Sequence, residues 1–200
     1  MNDTAPAPLL DNLRQATAQS HQDLESLPVS ASIMDPHVTK QQYSAYLALM
    51  RDVVADTEEN IFPLIENIIH DLKQRTKTDL IGADLKALGA IVPDTHLKPL
   101  TRNLKEISEG FALGIMYVVE GSSLGGRVIL KNITTALGFD AENGAGYFAG
   151  YGGQTGSTWR LFLAALAEHE TQNNSGDEII AGANFAFDAI NAHFRNNAPV

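Results

Sequence analysis

The feature that most constrains the fold is a long apolar helical segment that contains an unusual number of glycines. Residues 110–130 read GFALGIMYVVEGSSLGGRVIL. A glycine in the interior of a helix costs about 0.5–1 kcal/mol relative to alanine. At about 100° per residue, one narrow stripe of this helix collects Gly110, Gly114, Tyr117, Gly121 and Gly125. One face is therefore nearly free of side chains, at a cost in stability that requires an explanation.

Two explanations for this stripe remain open from the residues alone. Small residues let two helix backbones approach each other closely, which is the structural explanation. The functional explanation is that a flat, rigid ligand lies directly on the backbone, and that the Gly/Ser cluster at 121–126 lets the helix bend over that ligand. A dinucleotide-binding loop is a poor third interpretation, because it needs a preceding strand and a βαβ context that this sequence lacks.

The rest of the chain also has helical periodicity, and alternating strand patterns are scarce. No internal repeat or linker divides the chain, and 200 residues, 44% of them apolar, suffice for one core. The sequence therefore predicts a single all-α domain over residues 1–200. The predicted helices cover residues 8–27, 39–69 with a kink near Pro63, 78–89, 98–137, 155–170 and 177–195, with a glycine-rich loop at 141–156.

Composition and charge exclude several classes of function. The formal net charge of −10 disfavours nucleic acid and anionic membrane surfaces as partners. Cysteine is absent, which excludes disulfides and cysteine metal sites. An uninterrupted apolar run of about 18 residues and a secretory signal pattern are both lacking, so we expect a cytoplasmic protein without a membrane span. An anionic ligand would have to be held by a few well-placed basic residues.

A histidine on the first predicted helix is a candidate ligand for a metal. His21 lies on the apolar face, three residues before Leu24, and a lone histidine in such a place is often a satisfied core residue. However, Thr17 and Ser20 are small and leave space beside the imidazole. Arg14, two turns earlier on the same face, can reach an anionic edge of a ligand held by His21. A neutral imidazole is the usual protein donor to haem iron.

Three segments resemble haem oxygenases, in the right order along nearly the whole chain. LRQATAQSHQDLE (13–25) resembles the proximal helix of that family, with His21 at the position of the axial ligand. YVVEGSSLGGRVI (117–129) resembles the distal helix of the bacterial branch, especially the enzymes that supply biliverdin to bacterial phytochromes. TGSTWRLFLAAL (155–166) is similar to a helix that helps to hold the haem propionates.

The resemblance implies a function and a cofactor. In this family haem b is both substrate and cofactor, and it lies between the proximal helix and a kinked, glycine-rich distal helix. Dioxygen and external electrons convert it to biliverdin, carbon monoxide and ferrous iron. Gly121 and Gly125 match the kink glycines, where a side chain would collide with bound dioxygen, and Ser122 lies beside the oxygen site. The animal enzymes have an aspartate there that organises proton-delivering waters.

Further residues are assigned to the ligand by the same resemblance. Arg14 and Arg160 match basic positions that bind the propionates, and Tyr117 is placed to donate a hydrogen bond to the same edge. For Arg160 an ordinary surface arginine is an equal alternative. Phe185 and Phe187 are placed to pack on the porphyrin, with core packing as the alternative. Glu120 points about 100° away from the position of Gly121 around the helix, so the sequence assigns it no role.

The resemblance also implies partners, and it leaves a second interpretation of the function open. A ferredoxin or a flavoprotein reductase would supply electrons, and a phytochrome would accept the bilin; nucleic acid and membranes are not expected partners. The alternative is a carrier of the same fold that binds haem or a bilin without turnover, and a third reading is an unrelated small ligand. The retention of His21 with Gly121 and Gly125 favours the enzyme.

Overall fold

A computed structural model describes residues 7–94 and 96–199, and this part of the chain is all-α, as predicted, with no β-strand. The helices are α1 (Ala7–Glu25), α2 (Pro28–Ser32), α3 (Lys40–Asp56), α4 (Phe62–Ile65), α5 (Thr78–Ala87), α6 (Glu109–Leu137), α7 (Gly146–Ala149), α8 (Thr155–Asn173) and α9 (Gly176–Asn197). A π-helical turn occupies Thr57–Ile61, and short 3-10 turns occupy Leu72–Gln74 and Gly152–Gln154.

The glycine-bearing helix α6 lies at the centre of the fold. It packs along α9, and α9 packs in turn against α1. Helices α3, α7 and α8 contact other sides of α6. The first half of α6 contributes fully buried side chains to the core, among them Leu113 and Ile115. The predicted proximal and distal helices, α1 and α6, are thus positioned by a common neighbour, α9.

A π-helical turn interrupts the predicted helix over 39–69 shortly before Pro63. Thr39 starts α3 with a capping box, in which its side chain accepts from the backbone of Gln42 and the Gln42 side chain accepts from the backbone of Thr39. After Asp56 the chain widens into the π turn and then continues as the short helix α4, which ends at Ile65 rather than residue 69. Single π turns inside helices are frequent at functional sites.

The predicted start of the central helix at residue 98 was wrong. Helix α6 begins at Glu109, and the Ser108 side chain caps it by accepting from the backbone N–H of Phe111. The residues before it are held in a loop by the fully buried carboxylate of Asp56. That carboxylate accepts from the backbone N–H groups of Leu100, at 2.7 Å, and Thr101, at 3.0 Å. These backbone N–H groups therefore donate to a distant side chain instead of forming the hydrogen bonds of a helix.

Helix α6 is long and apolar enough to cross a bilayer, the one such helix among residues 7–94 and 96–199. The core helix of a water-soluble domain has the same length and composition, so the observation carries little weight by itself. In this fold α6 packs against α9, and it carries the buried, ion-paired Glu120. The helix ends at Gly138 in the left-handed conformation, with φ +77°, as the sequence predicts.

Candidate functional site

The first half of the glycine stripe serves close packing between α6 and α9. A Cβ atom added at Gly114 would collide with the backbone oxygen of Ile179 and lie 2.7 Å from the backbone nitrogen of Ala183. Gly182 on α9 makes the reciprocal contact, because its Cβ would collide with the backbone oxygen of Phe111. At Gly110 a Cβ would lie 2.8 Å from the Glu178 carboxylate. For this half of the stripe the packing explanation is correct.

The second half of the stripe is open. Among the described residues, a Cβ at Gly125 would meet nothing within 4 Å, and one at Gly121 would meet only the ring of Trp159, at 3.6 Å. On the same side of the helix, Leu124 is 47% exposed and Val128 is 59% exposed. We call the surface formed by Gly121, Leu124, Gly125 and Val128 the glycine face. It is a bare apolar surface on a helix backbone, as the ligand explanation requires.

Helix α6 stays helical throughout this region. Its assignment is continuous from Glu109 to Leu137, so the Gly/Ser cluster does not end the helix. The predicted kink therefore stays a prediction. Gly126 differs from its neighbour Gly125, because it is buried and its Cβ would lie 2.6 Å from the backbone oxygen of Phe148. One glycine of this adjacent pair serves packing against the segment of α7, and the other faces open space.

The imidazole of His21 is available to a ligand. Its side chain is 56% exposed, which excludes the alternative of a satisfied core histidine. It lies edge-on to the ring of Phe187, with ring centroids 5.6 Å apart. Its Nε2 atom is 3.6 Å from the carboxylate of Glu25, one turn later on α1. Sequence reasoning missed Glu25, although its i, i+4 spacing from His21 was a visible signal.

Two further predicted residues, Arg14 and Tyr117, lie on different helices. Arg14 on α1 is exposed, and its guanidinium is 3.5 Å from Asp11. Burial raises the pKa of the Tyr117 hydroxyl on α6, and the positive charge of Arg14 opposes that shift. This relationship connects the helix that carries His21 with the helix that carries the glycine face.

Helix α8 packs on α6 and covers the edge of the glycine face at Gly121. Trp159 packs on Tyr117, with ring centroids 5.5 Å apart, and on the buried Phe162. Arg160, its neighbour in sequence, is exposed. Phe185 contacts Phe111, with ring centroids 5.4 Å apart, among residues of the α6–α9 packing. Between the two phenylalanines of α9, it is Phe187 that contacts His21.

Ser122 lies at the boundary between the glycine face and the buried side of α6. Its hydroxyl donates to the backbone oxygen of Val119, at 2.7 Å. The same hydroxyl is 3.4 Å from the phenolic oxygen of Tyr147, which belongs to the buried α7. Tyr147 itself is held by Asp84, whose carboxylate accepts from the backbone N–H of Tyr147 at 2.8 Å.

A cluster of buried charges lies behind the glycine face, and sequence reasoning missed it. Glu120 accepts from Arg75 at 2.6 Å, from Lys77 at 3.3 Å and from the Tyr151 hydroxyl at 3.0 Å. Arg75 also forms a bidentate pair with Asp71. Burial lowers the pKa of Lys77, against the opposing effect of Glu120. The available signal was Glu120 itself, an acidic residue inside an apolar helical segment. A carboxylate that is buried in such a segment needs a partner of opposite charge or a hydrogen-bond donor.

The chain is similar to heme oxygenases in sequence and in structure. Residues 7–196 match the family model described as heme oxygenase. The chain is 30% identical to heme oxygenase PigA of Pseudomonas aeruginosa over 199 residues, which covers 94% of each chain.

Two solved structures have the same fold. The NO- and CO-bound heme oxygenase of Neisseria meningitidis has a TM-score of 0.76 and 24% identity, and 96% of each chain is covered. The heme oxygenase-1 of the cyanobacterium Synechocystis, solved in complex with heme, has a TM-score of 0.68 and 17% identity, and the match covers 94% of this chain and 91% of that one.

Proposed function

This chain belongs to the heme oxygenase family and is a haem-degrading oxidoreductase, and we propose that it opens the ring of haem b with dioxygen and external electrons. The proposed products are biliverdin, carbon monoxide and ferrous iron. The single observation that carries the proposal is the contrast within one helix. Gly114 is buried in a helix contact, whereas Gly125 faces open space next to exposed apolar side chains.

The residues of the candidate site fit haem. A flat ring needs a surface without side chains, and the glycine face offers one. The iron needs a neutral donor, and the His21 imidazole is exposed beside Phe187. The propionates are anionic, and the net charge of −10 disfavours them, so specific cationic side chains must bind them. Arg14 and Arg160 are exposed and are the residues that we assign to this role.

We assign each residue a distinct part in the reaction. Haem supplies the iron that activates dioxygen and also the carbon that is oxidised. His21 binds the iron and holds the ring in place. Gly121 and Gly125 admit dioxygen between the ring and the helix because they lack side chains. Tyr117 hydrogen-bonds to the propionate edge, and Trp159 closes the pocket beside Gly121, where its ring already lies.

The partners proposed from the resemblance follow from this chemistry. Reduction of dioxygen needs electrons that the chain itself does not carry, so a ferredoxin or a flavoprotein reductase would supply them. A phytochrome that takes up a bilin would consume the product. We propose that the reaction takes place in the cytoplasm, where reduced ferredoxins and flavoproteins are present. Phe185 is assigned to the wall of the pocket only through the resemblance, because its contact with Phe111 equally serves core packing.

The test is to add one equivalent of hemin to the purified protein, then ascorbate in air, and to follow the absorption spectrum. We expect a sharp Soret band that decays while a broad band of a bilin grows at the red end. A Soret band that forms and persists, also with a protein reductant, would instead establish a haem carrier. The absence of a Soret band would mean that the chain has kept the fold and lost the ligand. Albumin with hemin under the same conditions controls for decay of haem outside a specific pocket.

A further inference from the structure

A small cavity lies on the buried side of α6, opposite the glycine face. Its volume is about 10 Å³, at the lower limit for a single water molecule. Such a cavity holds water only when polar groups line it, and here ionisable groups from four parts of the fold do so. The π turn supplies Thr57 and Glu58, and the other polar lining residues are Arg75, Lys77, Glu120 and Tyr147.

The ammonium group of Lys77 is the positively charged group in this lining that can release a proton. It donates to the Tyr151 hydroxyl at 2.8 Å and to Glu120 at 3.3 Å. Arg75, next to it on Glu120, stays charged at any accessible pH. Glu58 is engaged elsewhere, because its carboxylate accepts from the backbone N–H of Lys77 and from that of Thr78. Burial lowers the pKa of Lys77, which makes its proton easier to release.

Tyr147 connects this cavity to the glycine face. Its side chain lines the cavity on one side, and its hydroxyl is 3.4 Å from the Ser122 hydroxyl on the other. Ser122 directly follows Gly121 and is exposed. A chain of groups that can each accept and release a proton therefore runs from Lys77, through room for one water molecule, to Tyr147 and Ser122.

Stability does not explain the buried charges. Replacing a buried ion pair with well-packed apolar residues is often neutral or stabilising. Arg75, Lys77 and Glu120 are each less than a tenth exposed and lie inside a mainly apolar helical core. Their position directly behind Gly121 and Ser122 points to a role in the reaction.

We infer that Lys77 is the internal proton donor for the glycine face, and that its proton passes through the cavity to the Tyr147 hydroxyl and from there to the Ser122 hydroxyl. The inference rests on the proposed function, because reduction of dioxygen consumes protons at that face. Each passage moves one proton and no electrons: Lys77 becomes a neutral amine, while Tyr147 and Ser122 each take up one proton and release another. Solvent returns a proton to Lys77 past the half-buried Tyr151. Glu120 is a positioning residue that holds Lys77 at the cavity.

The charge-conserving variant Lys77→Arg separates proton donation from charge, because arginine keeps the positive charge and cannot release a proton. In the wild-type protein the donor must be protonated, so the rate of haem decay should fall as the pH rises through the lowered pKa of Lys77. In Lys77→Arg we expect this alkaline fall to disappear. At pH values below the fall, the rate should be about a hundredfold to ten-thousandfold lower, the range of general acid catalysis. The groups that face Lys77 and titrate or carry charge are Arg75, Glu58, Glu120, Tyr147 and Tyr151.

A second variant removes one oxygen atom and no charge, and so tests the path even if Lys77→Arg does not fold. Tyr147→Phe should slow haem decay by a similar factor while the affinity for hemin stays within about twofold. The matched control is Tyr46→Phe, at a tyrosine that packs on Phe148 and Phe194. In this control variant, haem should decay at the wild-type rate.

The measurements use the haem-loaded protein, with decay of the Soret band under a fixed concentration of ascorbate from pH 6 to 10. A wild-type rate and an unchanged alkaline fall in Lys77→Arg, or a wild-type rate in Tyr147→Phe, would overturn the inference. If the wild-type protein binds hemin and shows no decay, the proposed function fails. The proton path is then tested by a pH titration of the ferric Soret band. A titration midpoint that is shifted by Lys77→Arg and Tyr147→Phe but not by Tyr46→Phe would support the path. Equal midpoints in all variants would contradict it. If hemin does not bind, both proposals fail together.

Discussion

The indole ring of Trp159 lies on the bare backbone of Gly121, where a Cβ atom would be 3.6 Å from the ring. Trp159 is the single tryptophan of the sequence. The whole tryptophan fluorescence of the protein therefore originates at the edge of the glycine face.

We predict that hemin quenches this fluorescence in proportion to its binding. Haem absorbs strongly in the near ultraviolet, so a ring that binds within a few ångströms of Trp159 should remove most of its emission. The measurement is a fluorescence titration with hemin, corrected with free tryptophan amide for absorption by the ligand. A full Soret band together with unchanged fluorescence would show that haem binds elsewhere on the protein.

Two glycine-to-alanine substitutions on the same helix should have opposite effects on stability. In Gly114→Ala the new methyl group collides with backbone atoms of α9, and overpacking of this kind costs about 1–3 kcal/mol. In Gly125→Ala it meets no atom of residues 7–94 and 96–199 within 4 Å, and the better helix propensity should add about 0.5–1 kcal/mol. Urea unfolding of the protein without haem measures both. Because Gly125→Ala places a methyl group on the glycine face, it should also slow haem decay, so that stability and activity change in opposite directions.

That pair of variants serves as its own control, since the substitution is the same and the helix is the same. Equal destabilisation by both would contradict the division of the stripe into a packed half and an open half. Gly121→Leu, a larger change at the same face, should obstruct the pocket. Undiminished turnover in Gly121→Leu would remove the glycine face from the site.

The His21→Ala variant should lose the spectrum of a histidine-bound haem and should lose turnover. His21 is more than half exposed, so its replacement leaves no cavity in the core, and the free energy of unfolding should change by less than about 0.5 kcal/mol. Absorption spectra with hemin, with and without added imidazole, measure the effect. An unchanged Soret band would remove His21 from the role of ligand, and recovery of the band by imidazole would confirm it. His37→Ala, at an exposed histidine beside α3, is the matched control.

The alkaline limb of the stability curve should depend on Tyr147. Burial raises the pKa of this hydroxyl to about 12, whereas in the unfolded chain it ionises near pH 10. The folded state therefore holds a proton that the unfolded state has lost, so the contribution is fully present below pH 10 and is lost as the pH rises through 12. Between these values Tyr147→Phe should make the fall in unfolding free energy less steep by about 1.4 kcal/mol per pH unit. Urea unfolding from pH 9 to 12 tests this, and an unchanged slope in the variant would contradict it.

Local patterns in the sequence were sufficient to predict most helices but not the start of α6. Helices α1, α8 and α9 have regular apolar spacing, and Gly138 ends α6 where the sequence indicates. The residues from 98 onward also have a helical pattern. They are held in a loop by Asp56, more than forty residues earlier, and no local pattern contains that contact.

The candidate site, like the fold, was predictable from the sequence only in part. The stripe of glycines was visible, but the neighbour of each glycine was not, and only the neighbours distinguish Gly114 from Gly125. Glu120 was visible as an acid in an apolar run. Its partners Arg75 and Lys77 lie more than forty residues earlier, in a polar segment with no apolar periodicity. Sequence reasoning therefore found the surface that we propose binds haem and missed the charges behind it.

The division of α6 into a packed half and an open half has a consequence for its motions. Backbone amides around Gly114 are covered by α9, so they should exchange with solvent deuterium only when the whole domain unfolds. Those around Gly125 have a glycine-rich backbone that is covered on one side only, and they should exchange through small local openings. One helix would then contain two regions of very different local stability. A ligand on the glycine face would raise protection in the second region alone, and this would convert the central helix from an unevenly stable element into a uniformly stable one.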